Sequence, residues 1–119
     1  MAANVQFQPN PELELTTEKQ SDRIIVRGTG RITASSSEQL LSTLRDVIAE
    51  TKHVVIDLTG VDYVDSSGLG ALVTIHLHAS RAGCLVDLAN PRQRIRDLFK
   101  ITKLASLFED RQENYFGDF

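Results

Sequence analysis

The sequence has little of several things that would point to particular classes of protein. Its 119 residues include one cysteine, Cys84, no tryptophan and three prolines, and only 6% are aromatic. One cysteine excludes a disulfide within the chain and a metal site built from several cysteines, and it is typical of a reducing compartment. No stretch approaches the ~20 apolar residues of a membrane span. The first basic residue is Lys19 and no unbroken apolar segment follows it, unlike a secretory signal peptide. We therefore expect a cytoplasmic protein that does not insert into a membrane.

The sequence also has no large excess of charge of either sign. Sixteen acidic residues stand against 13 basic ones, which gives a formal net charge of -3 at pH 7. Such a chain has no polycationic field for nucleic acid. Its length and its apolar share of 41% are those of one globular domain with a real core. No repeat of 20–50 residues is visible, which excludes solenoids and propellers.

Composition along the chain predicts three segments. Residues 1–12 form a polar, proline-containing arm, either loose or an edge strand, from which we expect little function. Residues 13–108 carry the regular patterns of the domain, and Leu104, Leu107 and Phe108 look like its closing apolar segment. Residues 109–119 form a tail that is both acidic and aromatic and to which the pattern assigns no structure.

The domain begins with strand signals. Alternating residues at 13–17 and 23–27 flank a polar turn and predict an antiparallel hairpin. A loop over Gly28–Ser35 is expected next. Ser35 and Glu38 then have the spacing of a capping box and predict a first helix over 36–50.

Strands and helices then alternate. Buried-type strands are predicted at 53–58 and 84–89. A loop from Thr59 to Val64 leads into a second helix that ends near Ala82, before Gly83. Asn90 and Pro91 predict the start of a third helix that runs to about Ile101. This order predicts an α/β fold, a mixed sheet with an N-terminal hairpin and helices packed on it.

One segment suggests chemistry, the run Asp65-Ser66-Ser67-Gly68-Leu69-Gly70. It brings two hydroxyls to a helix N-terminus, where unpaired N–H groups and the helix dipole favour an anion such as phosphate. The simpler alternative is that Asp65 or Ser66 only caps the helix. Capping needs one such residue, and it leaves the second serine and both glycines unexplained.

Catalytic interpretations fit this segment poorly. A hydrolase nucleophile elbow requires glycine two residues before the serine, where Val64 stands. His76 is ~15 Å further along the same helix, too far to act as a base for Ser66. His76 and His78 point roughly 200° apart on a helix and cannot share a metal ion. Nucleotide loops need more glycines or a P-loop lysine. We expect no catalysis, no metal and no cofactor, with a small serine hydrolase as the remote alternative.

A basic stripe lies on the predicted third helix. It consists of Arg92, Arg96, Lys100 and Lys103, with Arg94 off the stripe. Such a stripe is usually a solvated helix face, and the alternative is a contact for an acidic partner surface.

The run Val55-Ile56-Asp57-Leu58, followed by Val61 to Leu72 with its Asp-Ser-Ser-Gly-Leu-Gly core, resembles the signature of STAS domains. These domains are the anti-sigma factor antagonists and their relatives in sulfate transporters. The similarity extends from Leu13 to Phe108 and includes Gly83 and the Asn90-Pro91 pair.

The resemblance implies a bacterial regulator of transcription that acts by partner switching. In that family the domain binds an anti-sigma factor that is also a serine kinase. The kinase phosphorylates the serine after the motif's aspartate, here Ser66, and the complex dissociates; a phosphatase reverses the change. ATP and Mg²⁺ belong to the kinase. The implied partner-binding residues are Asp65, Ser66, Ser67, Gly68, Leu69, Arg31 and Thr33, and Tyr63 is a candidate flanking residue.

The chain departs from the antagonists in two places. After the second strand they usually carry Gly, an acid, an aliphatic residue and Asp, whereas this chain has Gly30-Arg31-Ile32-Thr33. We also expect the 109–119 tail to take the place of the long final helix of the antagonists. These departures keep open an alternative role as a non-switching structural STAS subunit, like a stressosome component or a lipid-transporter accessory.

Overall fold

Helices and strands alternate after an N-terminal hairpin, as the sequence pattern predicts. The computed structural model describes residues 6–8 and 12–102. Leu104, Leu107, Phe108 and the 109–119 tail lie outside these residues, so the domain limit at 108 stays a prediction. The elements are β1 (Gln6–Gln8), β2 (Leu13–Lys19), β3 (Ile24–Ile32), α1 (Ala34–Ile48), β4 (His53–Val64), α2 (Ser66–Arg81), β5 (Leu85–Ala89) and α3 (Gln93–Thr102).

The strands form one mixed sheet in the order β1-β2-β3-β4-β5. The pairs β1–β2 and β2–β3 are antiparallel, and β3–β4 and β4–β5 are parallel. The predicted fold class is confirmed, and Gln6–Gln8 of the N-terminal arm form the edge strand. Helices α1 and α2 make the crossovers that parallel strands require.

The core lies on one face of the sheet. Alternate residues of β2 and β4 point into it, and all three helices contribute to the same apolar cluster. Each fully buried aliphatic side chain contributes roughly 1.5–3 kcal/mol. The opposite face is polar, where Arg27 pairs with Glu18 at 2.6 Å and with Asp57 at 3.6 Å.

Two expected loops are in fact strand. β3 continues through Gly28 and Gly30 to Ile32, and β4 continues to Val64, so the loops expected at 28–35 and 59–64 are wrong. The strands stay paired because the register shifts twice, between Arg27 and Thr29 and between Gly30 and Arg31. Gly30 has φ +121, which only glycine adopts readily. Both shifts place an extra residue on β4, opposite the glycine-containing end of β3, and glycines in a strand resemble a loop in sequence.

The longer β3 also moves the start of α1. Thr33, not Ser35, is the N-cap, and the capping box uses Ser36 rather than Glu38. The Ser36 hydroxyl accepts the Thr33 N–H at 2.9 Å.

The third helix begins later than expected. Asn90 has φ +56 and is not a helix cap. The Ile95 and Arg96 N–H groups both donate to the Arg92 carbonyl at 2.9 Å, so the first helical turn starts after Pro91. The end of α2 matches the prediction, with Ala82 as C-cap and Gly83 at φ +74. At 16 residues α2 is the longest described helix, and none of the described helices has the length and apolarity for a membrane crossing.

Gly68 and Gly70, the two glycines of the motif, differ in the space that the fold leaves for a side chain. A Cβ on Gly68 would lie 2.2 Å from the Ile32 carbonyl oxygen, whereas a Cβ on Gly70 would meet nothing within 4 Å. We expect Gly68→Ala to lower the free energy of unfolding by about 2 kcal/mol or more, because backbone must move. We expect Gly70→Ala to raise it by about 0.5–1 kcal/mol, because alanine favours the helix. Urea unfolding of both variants measures this, and equal effects would contradict the packing described here.

Candidate functional site

The Asp65-Ser66-Ser67 segment lies where two parallel strands end side by side. Ile32, the last residue of β3, pairs with Val64, the last residue of β4. The Asp65 N–H then donates to the Ile32 carbonyl at 3.2 Å, and α2 begins at Ser66. The carboxyl edge of parallel strands is where open α/β sheets place their binding sites.

Asp65 is the residue that caps α2. Its backbone is extended, with φ -100 and ψ -173, and its Oδ1 accepts the Gly68 N–H at 2.9 Å. Its carbonyl accepts the Leu69 N–H at 2.9 Å. Of the two candidate residues, Asp65 caps the helix and Ser66 does not.

Both serines are consequently left exposed. Within the part of the chain that the structure describes, neither the Ser66 nor the Ser67 hydroxyl makes a hydrogen bond, so no base is engaged with either. They stand at the first two positions of α2, where the helix dipole favours a negative group. Gly68 and Leu69 are buried, and Leu69 belongs to the core. These two support the site from beneath, while the serines face outward.

A second helix begins beside the first, and a carboxylate holds it. Glu12 accepts hydrogen bonds from the Thr33 hydroxyl at 2.9 Å, from the Ser35 hydroxyl, and from the Arg31 Nη2 at 3.0 Å. The Ser35 and Thr33 hydroxyls, with Arg31, hold the pKa of Glu12 below its usual value. Thr33 is buried in this arrangement, so it builds the helix start and does not face a partner.

Sequence reasoning missed Glu12, because it assigned this residue to an arm of little function. The register explains its role, since Leu13 pairs with Gly30 and so brings Glu12 opposite Arg31. The Arg31 N–H donates to the Glu12 carbonyl at 2.9 Å as well. A lone acid before a strand carries no sequence signal of such a partner.

Arg31 and Tyr63 form the exposed rim next to this helix start. They are register partners on β3 and β4, and the Arg31 Cζ lies 5.9 Å from the centre of the Tyr63 ring, within cation–π range. The Tyr63 side chain is 43% exposed and that of Arg31 is 58% exposed. The structure therefore brings Arg31, Tyr63 and the α2 start to one edge of the sheet.

Histidine and acidic residues elsewhere in the described part of the chain form no metal centre. Among residues 6–8 and 12–102, no group of three His, Cys, Asp or Glu side chains could hold a metal ion. His53 pairs with Asp87 at 2.8 Å on the polar face of the sheet, away from the site.

The lowered pKa of Glu12 predicts a pH-dependent stability. The Glu12 carboxylate stabilises the fold above its unfolded pKa, near 4.5, and this contribution is lost as the pH falls through the lower folded value. Glu12→Gln should lower the free energy of unfolding at pH 7, and its deficit relative to the wild type should shrink below about pH 4.5. Glu14→Gln, an exposed neighbour, is the control. Urea unfolding at pH 7 and below about pH 4.5 measures this. A deficit in the free energy of unfolding that does not change with pH would contradict the role of the carboxylate.

Comparison with known proteins agrees with this geometry. The family model of the STAS domain matches residues 14–115. A STAS-domain containing protein of Pseudomonas aeruginosa is 28% identical over 80 residues, which cover 67% of this chain and 79% of that protein. The anti-sigma F factor antagonist of Paenibacillus polymyxa is 22% identical over 103 residues, or 82% of this chain and 88% of that protein.

A solved structure is similar as well. The Bacillus cell fate determinant SpoIIAA in its phosphorylated form superimposes with a TM-score of 0.61 over 87% of this chain and 86% of that chain. At 16% identity this match shows the fold alone. With the family model spanning most of the sequence and the sheet and helices in place, the chain belongs to the STAS domain family.

Proposed function

We propose that the chain is an anti-sigma factor antagonist. It binds an anti-sigma factor that is also a serine kinase, and phosphorylation of Ser66 releases that partner. One observation carries this proposal: Asp65 caps α2 and so leaves the Ser66 hydroxyl exposed and uncommitted at the helix start.

The chain supplies a hydroxyl and a surface to this exchange. The kinase supplies ATP and Mg²⁺, a separate phosphatase restores the serine, and this domain performs no catalysis of its own. The exchange takes place in the bacterial cytoplasm, where sigma factors act.

The helix start can accept a phosphate without unfolding. Phosphorylation adds about -1.5 to -2 charges. The dipole at a helix N-terminus stabilises such a charge by at most ~2 kcal/mol. The cap made by Asp65 uses its own carboxylate and does not depend on the Ser66 side chain. The modified domain therefore keeps its fold, and the effect falls on the partner.

The same charge is large enough to release a partner. A partner carboxylate about 4 Å from the phosphate would feel roughly 4 kcal/mol of repulsion per charge pair at an effective dielectric of 20. This corresponds to nearly three orders of magnitude in affinity. A complex of micromolar or tighter affinity would dissociate.

Gly70 supports α2 as the partner face. The fold does not need glycine there, because a Cβ would meet nothing within 4 Å. Glycine within a helix nevertheless costs about 1 kcal/mol relative to alanine. A bare backbone one turn after Ser66 lets a partner approach α2 closely, and Leu77 extends the same exposed face, with 47% of its surface accessible.

A second candidate function is a structural STAS subunit that is never modified. Arg31 and Thr33, which stand where antagonists usually carry acids, favour this second function. Thr33 is buried as a helix cap and Arg31 is held by Glu12, so both residues serve the fold. In that role Asp65 would cap α2 inside a permanent complex, and Ser66 and Ser67 would stay unmodified.

Variants of the two serines test the proposal. Ser66→Asp should fold normally and bind the partner about a thousandfold more weakly, by the repulsion given above. Ser66→Ala should bind as the wild type does and resist modification. Ser67→Asp is the matched control, with the same charge one residue along the helix, and should lose less affinity. Each anti-sigma factor of the source genome is titrated against the four proteins by calorimetry.

The outcomes separate the two functions. A Ser66→Asp protein that binds with unchanged affinity contradicts the switch. A partner that stays bound to the wild type in the presence of ATP, with no gain in mass, supports the structural subunit instead.

A further inference from the structure

We propose that a basic hollow beside the α2 start receives an acidic segment of the protein partner. The hollow has a volume of about 580 Å³ and is lined by Arg31, Asp62, Tyr63, Arg92 and Arg94. This inference rests on the proposed function, because the occupant belongs to the same partner that contacts Ser66.

The hollow joins two parts of the fold that are distant in sequence. Arg31 and Tyr63 come from the ends of β3 and β4, Arg92 directly precedes α3, and Arg94 lies in its first turn. The Arg92 Nε donates to the Thr59 carbonyl at 3.1 Å and so fixes α3 to the bulged part of β4. Since β4 leads directly through Asp65 into Ser66, the hollow and the serine share the same edge of the sheet.

The charges of the hollow do not balance. Three arginines line it together with one acidic residue, Asp62. Glu12 pairs with Arg31, but the Arg92 side chain meets only a carbonyl oxygen. Arg94 and Asp62 make no hydrogen bond or ion pair with any residue in 6–8 or 12–102. Two guanidinium groups therefore stand without a carboxylate partner among the described residues.

A guanidinium group recognises a carboxylate through paired N–H donors, which makes aspartate or glutamate the complementary group. The exposed Tyr63 ring beneath Arg31 adds the aromatic and arginine surface typical of residues that dominate protein interfaces. The chain as a whole carries a net charge of -3, so this local positive field is a specific feature. It would steer an acidic partner surface toward this edge.

An acidic partner surface also explains the direction of the switch. Before modification the arginines attract it. After phosphorylation of Ser66, the new negative charge lies at the same edge of the sheet and repels it. The same acidic residues of the partner would thus be attracted by the arginines and repelled by the phosphate.

Arg94→Glu tests the inference, because Arg94 holds no described contact whose loss could disturb the fold. Lys52→Glu is the matched control: it makes the same change of charge on an exposed residue just before β4, at the opposite end of that strand. Affinity for the anti-sigma factor that binds the wild type is measured at 50 and 300 mM NaCl. We expect Arg94→Glu to weaken binding about tenfold or more at the lower salt and to reduce its salt dependence. Lys52→Glu should stay within about twofold.

The outcomes distinguish this inference from the proposed function. If Ser66→Asp disrupts the complex but Arg94→Glu and Lys52→Glu change the affinity equally, the inference is overturned and the proposed function is left intact. No complex with any anti-sigma factor contradicts the proposed function and the inference with it. A duplex oligonucleotide of about 20 base pairs is the polyanion control. If the domain binds it more tightly than the anti-sigma factor, and this binding depends on Arg94, the inference of an acidic protein partner is also overturned.

Discussion

The contact between the start of α2 and the end of β3 determines everything else about the site. The Asp65 N–H reaches the Ile32 carbonyl at 3.2 Å, and Gly68 passes so close to the same carbonyl that a Cβ would lie 2.2 Å from it. Only glycine permits this approach. Because α2 is held to the sheet there by backbone, Ser66 lies at a fixed and exposed place without any side-chain bond of its own.

The residues that cap the two helices differ from those that face solvent beside them. Asp65 caps α2, and Thr33 caps α1 with Glu12 behind it. The neighbouring residues, Ser66 at one start and Arg31 at the other, are left facing solvent. A charge added to Ser66 would therefore alter the exposed surface without removing either cap, which is consistent with the proposed switch.

Periodicity predicted the fold class and most elements because core-facing residues recur at strand and helix spacing, as along β4 and α1. It failed where tertiary pairing overrides local signals. Glycines in β3 suggested a loop, but parallel pairing to the bulged β4 holds them in a strand. The serines of the site followed from a local motif. Glu12 and the basic hollow could not, because each depends on residues brought together by the register of strands and by the position of α3.

Ser66 is exposed at the start of α2, and we propose that it accepts a phosphate without a change in the fold. The measurement is to incubate the domain with each anti-sigma factor of the source genome and ATP, and to map the product by mass spectrometry. We expect one added phosphate, about 80 Da, on Ser66, with an unchanged circular dichroism spectrum. Phosphate on Ser67, or no added mass while the two proteins stay bound, would contradict it.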